Sequence, residues 1–322
     1  MKIDKPPYTI TTKIVNHISL ITEELVRLEY HQKEIITPQL RRKNRIKTIV
    51  GTLEIEGNSL GEEKITALLD GKKVLGTMLE IAEVEGTINC YKKLGSYRFN
   101  KLNDLLNAHS ILMKGILKTA GNFRTVEVGV GKHIAPPSRR VSGLMENLFK
   151  WLEKSDDHPL IKSSIFHYEF EFIHPFSDGN GRIGRLWQNV ILSHWKKTFM
   201  AMPIESIIRD HQQKYYRALE ESGGSGSSTP FIEFMLGVIL KTLKEQGSTE
   251  KNVPLNVPLN VPLKRLEDIL ELIQKNSNIT SEQIALKLGV SDKTIKRDLA
   301  KLKAEDKIIR VGSLKTGRWE VG

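Results

Sequence analysis

One cysteine, Cys90, is the only thiol in 322 residues. It can form no internal disulfide and builds no cysteine-based zinc knuckle, so it reads as a small, semi-buried side chain. Long apolar runs are missing as well: none reaches the eighteen or so residues that a membrane-crossing helix needs. The opening MKIDKPPYTI lacks the basic, then apolar, then small order of an export signal. A cytoplasmic protein without a membrane partner is expected. Strand-like alternation is scarce, the best case being Val126, Val128 and Val130 ahead of Pro136-Pro137, read as one hairpin in a helical domain. Positive charge, in contrast, is plentiful. With 49 Lys plus Arg against 38 Asp plus Glu, the net charge of +11 should attract polyanions, whether nucleotide, nucleic acid or acidic protein. At 39% hydrophobic and 27% charged, the chain has the composition of a globular protein and the length for about two domains.

Most of it reads as helix. Apolar residues return at three and four positions in Ile46, Ile49, Val50, Leu53, in Ile161, Ile165, Tyr168, Phe172, and in Ile183, Leu186, Trp187, Val190, Ile191. From Gln246 to Leu263 the composition shifts to GSTEK and then NVPL three times, at Asn252, Asn256 and Asn260. Proline at every fourth residue removes amide donors and turns each preceding valine away from helix, so an extended linker is predicted. Beyond it lie a helix through Leu266, Ile269, Leu270 and Ile273, a second opened by the capping box Thr280 to Gln283 and closed at Gly289, and a third capped by Ser291. Two alternating runs at 307–311 and 317–321 complete the order of a winged helix-turn-helix.

The stretch that carries chemistry is His174-Pro175-Phe176-Ser177-Asp178-Gly179-Asn180-Gly181-Arg182-Ile183-Gly184-Arg185. Pro175 ends one helix and the apolar period restarts at Ile183, so Phe176 to Gly181 is predicted as a loop feeding a helix N-terminus. Glycines there let backbone amides converge where the helix dipole is positive, which makes a phosphate cradle. Arg182 and Arg185 share a helix face and can reach further phosphate oxygens. Asp178 supplies a hard carboxylate for Mg2+, and His174 can accept a proton near neutral pH.

In these residues the sequence resembles the Fic family, whose signature HPFxDGNGRxxR is matched at every defined position; the resemblance covers roughly residues 40 to 240. It implies a mainly α, Fic-type helical bundle with a small β-hairpin flap, and transfer of AMP from ATP, with Mg2+, to a hydroxyl of a protein. His174 would then be the base, Asp178 the metal ligand, and Gly179, Asn180, Gly181, Arg182 and Arg185 the phosphate-binding residues. Upstream, Thr52 to Gly57 resembles the family's inhibitory motif (S/T)xxxE(G/N). Thr52 and Glu56 share a helix face, Gly57 reads as a left-handed terminator, and Ser59 to Glu62 as a cap for the next helix. A carboxylate at a helix C-terminus faces the negative dipole end, which suggests a partner elsewhere; the resemblance names that partner as Arg185. It also makes Val128, Gly129 and Val130 the flap that pairs with a target's backbone, and puts Tyr216 and a turn at Ser222-Gly223 beside adenine. A Walker A reading of Gly129 to Lys132 fails, since Val126 stands where glycine is required and His133 follows the lysine. His167 reads as a core histidine rather than a metal ligand.

The predicted organisation is a helical region carrying the inhibitory motif (1–95), a catalytic domain (96–245), the linker (246–263) and the winged helix-turn-helix (264–322). The last holds 13 Lys plus Arg against 9 Asp plus Glu. Lys293, Lys296 and Arg297 on its third helix suit phosphate contacts in a major groove, although interleaved acids also suit protein contacts. The expected partners are ATP, a protein with an exposed hydroxyl, DNA at the C-terminal module and a second copy in a homodimer. Two other readings stay open: a DNA-binding regulator that uses the Fic domain as a nucleotide sensor, and removal of AMP or transfer of another nucleotide at the same site.

Overall fold

The computed structural model describes residues 5–30, 37–130, 133–248, 261–288, 290, 292–304, 307–311 and 318–321. It forms two compact units, Met1–Glu250 and Lys251–Gly322. The first is built from helices α1 (Thr12–Tyr30), α2 (Pro38–Ile55), α3 (Gly61–Leu69), α4 (Met78–Lys92) and α5 (Leu102–Leu112), a hairpin of β1 (Gly129–Val130) and β2 (His133–Ile134), and then α6 (Ser138–Lys154), α7 (Pro159–Ile173), α8 (Asn180–Trp195), α9 (Ile204–Asp210), α10 (Gln212–Ser225) and α11 (Thr229–Ser248). The second holds α12 (Val261–Lys275), α13 (Ser281–Leu288), α14 (Asp292–Ala304) and the antiparallel pair β3 (Ile308–Val311) and β4 (Arg318–Val321). The predicted class holds: mainly α, with one small hairpin in the first unit and a winged helix-turn-helix in the second.

Helix α8 is the axis of the larger unit. Its stripe Ile183, Leu186, Trp187, Val190, Ile191 is buried, and so are its polar Arg182, Arg185, Gln188 and Asn189. A helix buried all round must find partners for its polar side chains, and those of α8 meet Thr52 on α2, Glu83 on α4, His167 on α7 and Glu205 on α9. Helix α7 packs along it. Helix α2 has its own smaller core, in which Ile46, Ile49, Val50 and Leu53 meet Leu60, Ile65, Val84 and Ile88 from α3, α4 and the α2–α3 turn. Thr37 and Pro38 start α2, the threonine hydroxyl accepting the Leu40 N–H, and Gly57 at φ 86° ends it, as predicted. These contacts fix where Glu56, the residue that caps its C-terminus, points.

Four local expectations need correction. The hairpin pairs Gly129 with Ile134 and Val130 with His133, so only the end of the Val126–Val130 alternation is strand; the Val126 carbonyl is taken by Arg124 instead of a strand partner. Ser59 does not cap α3, because its hydroxyl donates to Glu80 in the capping box of α4. Ser222-Gly223 is not a turn: α10 continues to Ser225 and ends on Gly226 at φ 62°. The linker is shorter than predicted, since α11 runs to Ser248 and α12 starts at Val261; Pro262 falls in the first turn, where its missing N–H costs no helical hydrogen bond. Residues 249–260, Gly289 and Ser291 lie outside the described residues. The Thr280–Gln283 capping box forms with both of its hydrogen bonds, and Cys90 is buried, its thiol donating to the Ala108 carbonyl.

Candidate active site

Two left-handed residues frame the loop between α7 and α8. His174, which caps α7, has φ 48° and ψ 62°, the one positive φ outside glycine among the described residues. Gly179, before α8, has φ 83°, and a Cβ there would lie 2.8 Å from the Met113 sulfur, so only glycine fits. The helix begins at Asn180, earlier than predicted. The Asn180 side chain reaches back to Phe176, its Oδ1 accepting the N–H at 2.9 Å and its Nδ2 donating to the carbonyl at 2.8 Å. That clamp supplies the missing turn, and it occupies the amide; what Asn180 can offer a ligand is its backbone N–H.

His109 supports the loop from below, and nothing in the sequence marked it. Its ring stacks on Phe176 at 3.6 Å between centroids, Gly121 N–H donates to Nδ1, and Nε2–H donates to the Asp178 carbonyl at 2.9 Å. Burial pushes this imidazole down to about 4, so it stays neutral. His167 is likewise a core histidine, as expected, between Gln188 Oε1 at 2.6 Å and the Tyr215 hydroxyl at 3.1 Å, and burial pushes it down to about 3. For each, the stability gained by folding neutral is complete above the ordinary 6.5 and is lost as the pH falls toward the folded value. Each should cost about 2 kcal/mol between pH 7 and 5. In urea unfolding at those two pH values, His109→Gln should therefore lose less stability than the parent; an identical loss would show that His109 is not buried neutral.

At the start of α8 the first backbone N–H groups have no helical acceptor, and two arginines stand over them. Arg182 donates to Glu83 on α4 at 3.2 Å and to Asp178 at 3.4 Å, while its buried Nε has no hydrogen-bond partner among the described residues. Arg185 is only 2% exposed. Its Nε donates to the Thr52 hydroxyl at 2.9 Å and its Nη2 to the Thr52 carbonyl at 3.2 Å and Glu56 Oε1 at 2.6 Å. Burial pushes the Glu56 carboxyl up, but Arg185, aided by Arg182 and His174, more than reverses this and holds it below the usual carboxylate range. Glu171, beneath α8, is lifted by burial to about 8, so at neutral pH Glu56 carries the charge that faces Arg185. A Cβ on Gly181 would overlap Glu56 Oε1 and lie 3.0 Å from Arg185 Nη1. The Glu56 carboxylate thus rests on the first turn of α8, where an anion would bind.

Other predicted residues fall around this centre. Asp178 is half exposed, one oxygen accepting the Gly179 N–H at 2.6 Å. Tyr216, 49% exposed, receives a hydrogen bond from Gln212, which also donates to the Ile55 carbonyl at the end of α2. Val128 leads into the hairpin, Gly129 and Val130 form its first strand, and Arg124 ties its base to the loop. In the other unit Lys296 pairs with Asp292 at 2.7 Å, Arg297 is exposed, and the Lys293 side chain lies outside the described residues. Among the described residues there is no group of three or more metal-ligating side chains and no helix long and apolar enough to cross a membrane.

The chain is similar to known proteins. Residues 99–192 match the Fic/DOC family and residues 265–313 an HTH domain. A solved Fic family protein from Desulfovibrio desulfuricans G20 is 39% identical, covers 99% of this chain and 98% of its own, and superposes with a TM-score of 0.78. Fic-1 (aa134–508) from C. elegans, 21% identical over 75% of this chain and 73% of its own, shares the fold with a TM-score of 0.62. The protein adenylyltransferase Fic of Culex quinquefasciatus is 31% identical over 209 residues, 62% of this chain and 41% of the mosquito protein. The chain thus spans about two fifths of the length of the curated relatives it matches.

Proposed function

This chain belongs to the Fic family, and on that premise we propose that it is an auto-inhibited protein adenylyltransferase, moving AMP from ATP to a Ser, Thr or Tyr hydroxyl of a target and of itself. The observation that carries the reading is the meeting of three things at one helix tip: His174, the N-terminal turn of α8 with Arg182 and Arg185, and the Glu56 carboxylate. His174 takes the hydroxyl proton as the oxygen attacks the α-phosphorus. The α8 amides and the two arginines hold the triphosphate in line and offset the charge growing on the leaving pyrophosphate. The orphaned Nε of Arg182 is a buried donor suited to a phosphate oxygen.

Mg2+ fits the same place. A single half-exposed carboxylate, Asp178, is what an ion arriving with a nucleotide needs, since Mg2+ usually takes one or two carboxylates and fills its shell with phosphates and water. Bound there, it would neutralise phosphate charge. Residues 1–95 then act as the regulatory region and 96–245 as the catalytic one, with Tyr216 on the adenine side and the hairpin pairing with the target backbone. Labelled ATP tests the reading: Glu56→Gly should label itself and His174→Ala should not.

A second property goes with the smaller unit. Its match to an HTH domain and the exposed Arg297 and Lys303 on α14 favour duplex DNA as a partner. Mobility of random duplex should shift at low salt and lose the shift steeply as salt rises, and Arg297→Ala should reduce the salt slope by about one. Absence of a shift at low salt, or a shift indifferent to salt, would exclude it.

A further inference from the structure

The residue that joins the hairpin to the catalytic loop is Arg124, and its side chain is fully buried. Its Nε donates to the His174 carbonyl at 2.8 Å and its Nη2 to the Ile173 carbonyl at 3.4 Å. The same guanidinium donates through Nη1 to the Val126 carbonyl at 2.8 Å and through Nη2 to the Pro136 carbonyl at 2.5 Å, and the Arg124 backbone N–H donates to the Pro175 carbonyl at 2.9 Å. The Ile173 and His174 carbonyls are among the last of α7, whose helical donors would be the N–H groups of residues 177 and 178; the left-handed turn at His174 carries the chain out of the helix first and leaves both carbonyls without a helical partner. Val126 and Pro136 bracket the hairpin on both sides. One planar cation therefore holds the strained backbone of His174 and both ends of the hairpin. A lysine, with three donors on one tetrahedral nitrogen, cannot span these directions.

We infer that Arg124 is a positioning residue that fixes the two ends of the hairpin to the backbone of His174, so that a target strand registered on the hairpin delivers its hydroxyl to the imidazole. The inference rests on the transfer reading above. Neither group touches Arg124 through its reacting atoms; the arginine acts on the backbone that carries them. Water, which needs no strand register, should feel its loss less than a protein acceptor does.

The test uses the full chain in the Glu56→Gly background, with Arg124→Lys and Arg124→Ala, and follows nucleotide affinity, AMP transfer to protein and release of free AMP to water. Affinity should stay within about threefold, and transfer to protein should fall about 100-fold, the scale that displacing a reacting pair by about an ångström costs; release to water should fall by about tenfold or less. Methylguanidinium added to Arg124→Ala should restore transfer at least in part. Transfer within threefold of the parent, equal losses to protein and water, or loss of affinity alone would overturn the inference. If Arg124→Ala is insoluble, the ratio of the two losses in Arg124→Lys decides. Hydrogen exchange gives a reading independent of activity: 126–130 and 133–135 on one side and 173–176 on the other should loosen together in Arg124→Lys, and loosening of one side alone would refute the coupling. A parent without any transfer would count against adenylyl transfer itself, while the exchange result would still judge Arg124.

Discussion

Glu56→Gly should raise self-labelling from ATP by about one to two orders of magnitude. The carboxylate lies on the first turn of α8 and holds Arg185 at 2.6 Å, in a guanidinium already tied to Thr52 by two further bonds. Arg185 therefore cannot turn toward a terminal phosphate without breaking a charge-assisted hydrogen bond worth about 1.5 to 3 kcal/mol, and each 1.4 kcal/mol is tenfold in the population that can react. Glycine at 56 also keeps the backbone compatible with the helix end, where Glu56 has φ −90° and ψ 4°. The variant should bind ATP at least as tightly as the parent, so the gain is in productive pose and not in fold. Unchanged labelling across a range of ATP concentrations would remove Glu56 from control of the site.

His174→Ala in the same background should lose about 10² to 10⁴ in transfer rate, the usual worth of a general base, while nucleotide binding persists. Binding should persist because the α8 amides, Arg182 and Arg185 are positioned by Asn180, Glu83 and Thr52, none of which depends on the imidazole. Alanine must adopt φ 48° at that position, so the loss of the ring comes with some backbone strain. His174→Asn, which tolerates the left-handed region better, separates the two: it should also fail to transfer. Transfer in either variant at near the parental rate would place the proton acceptor elsewhere.

The helices and the chemistry-bearing loop were legible because they depend on local signals. The stripe at Ile183 to Ile191 and the Pro175 break repeat at short spacing, and the Thr52–Glu56 face with its Gly57 stop is a one-turn pattern. What supports the loop was not legible. His109 lies 69 residues from its Asp178 contact and Arg124 50 residues from His174, and neither sits in a pattern that marks it apart from an ordinary helix or loop residue. The Asn180 clamp shows the same limit in reverse: a residue predicted to face phosphate spends its side chain on the Phe176 backbone, because a four-residue separation brings them into contact only once the left-handed turn at Gly179 exists. The hairpin was placed too early because alternation reports a strand only where a partner strand is in reach, and Arg124 takes the Val126 carbonyl first.

The most direct trial of α-phosphorus attack at the tip of α8 is to give the Glu56→Gly protein ATP labelled at either the α- or the γ-phosphate, with Mg2+, and to count label that survives denaturation. Retention of the α label, none of the γ label, and neither in Glu56→Gly/His174→Ala is the expected outcome. Retention of the γ label would mean phosphoryl rather than adenylyl transfer, and no retention of either would mean that the site binds the nucleotide without using it.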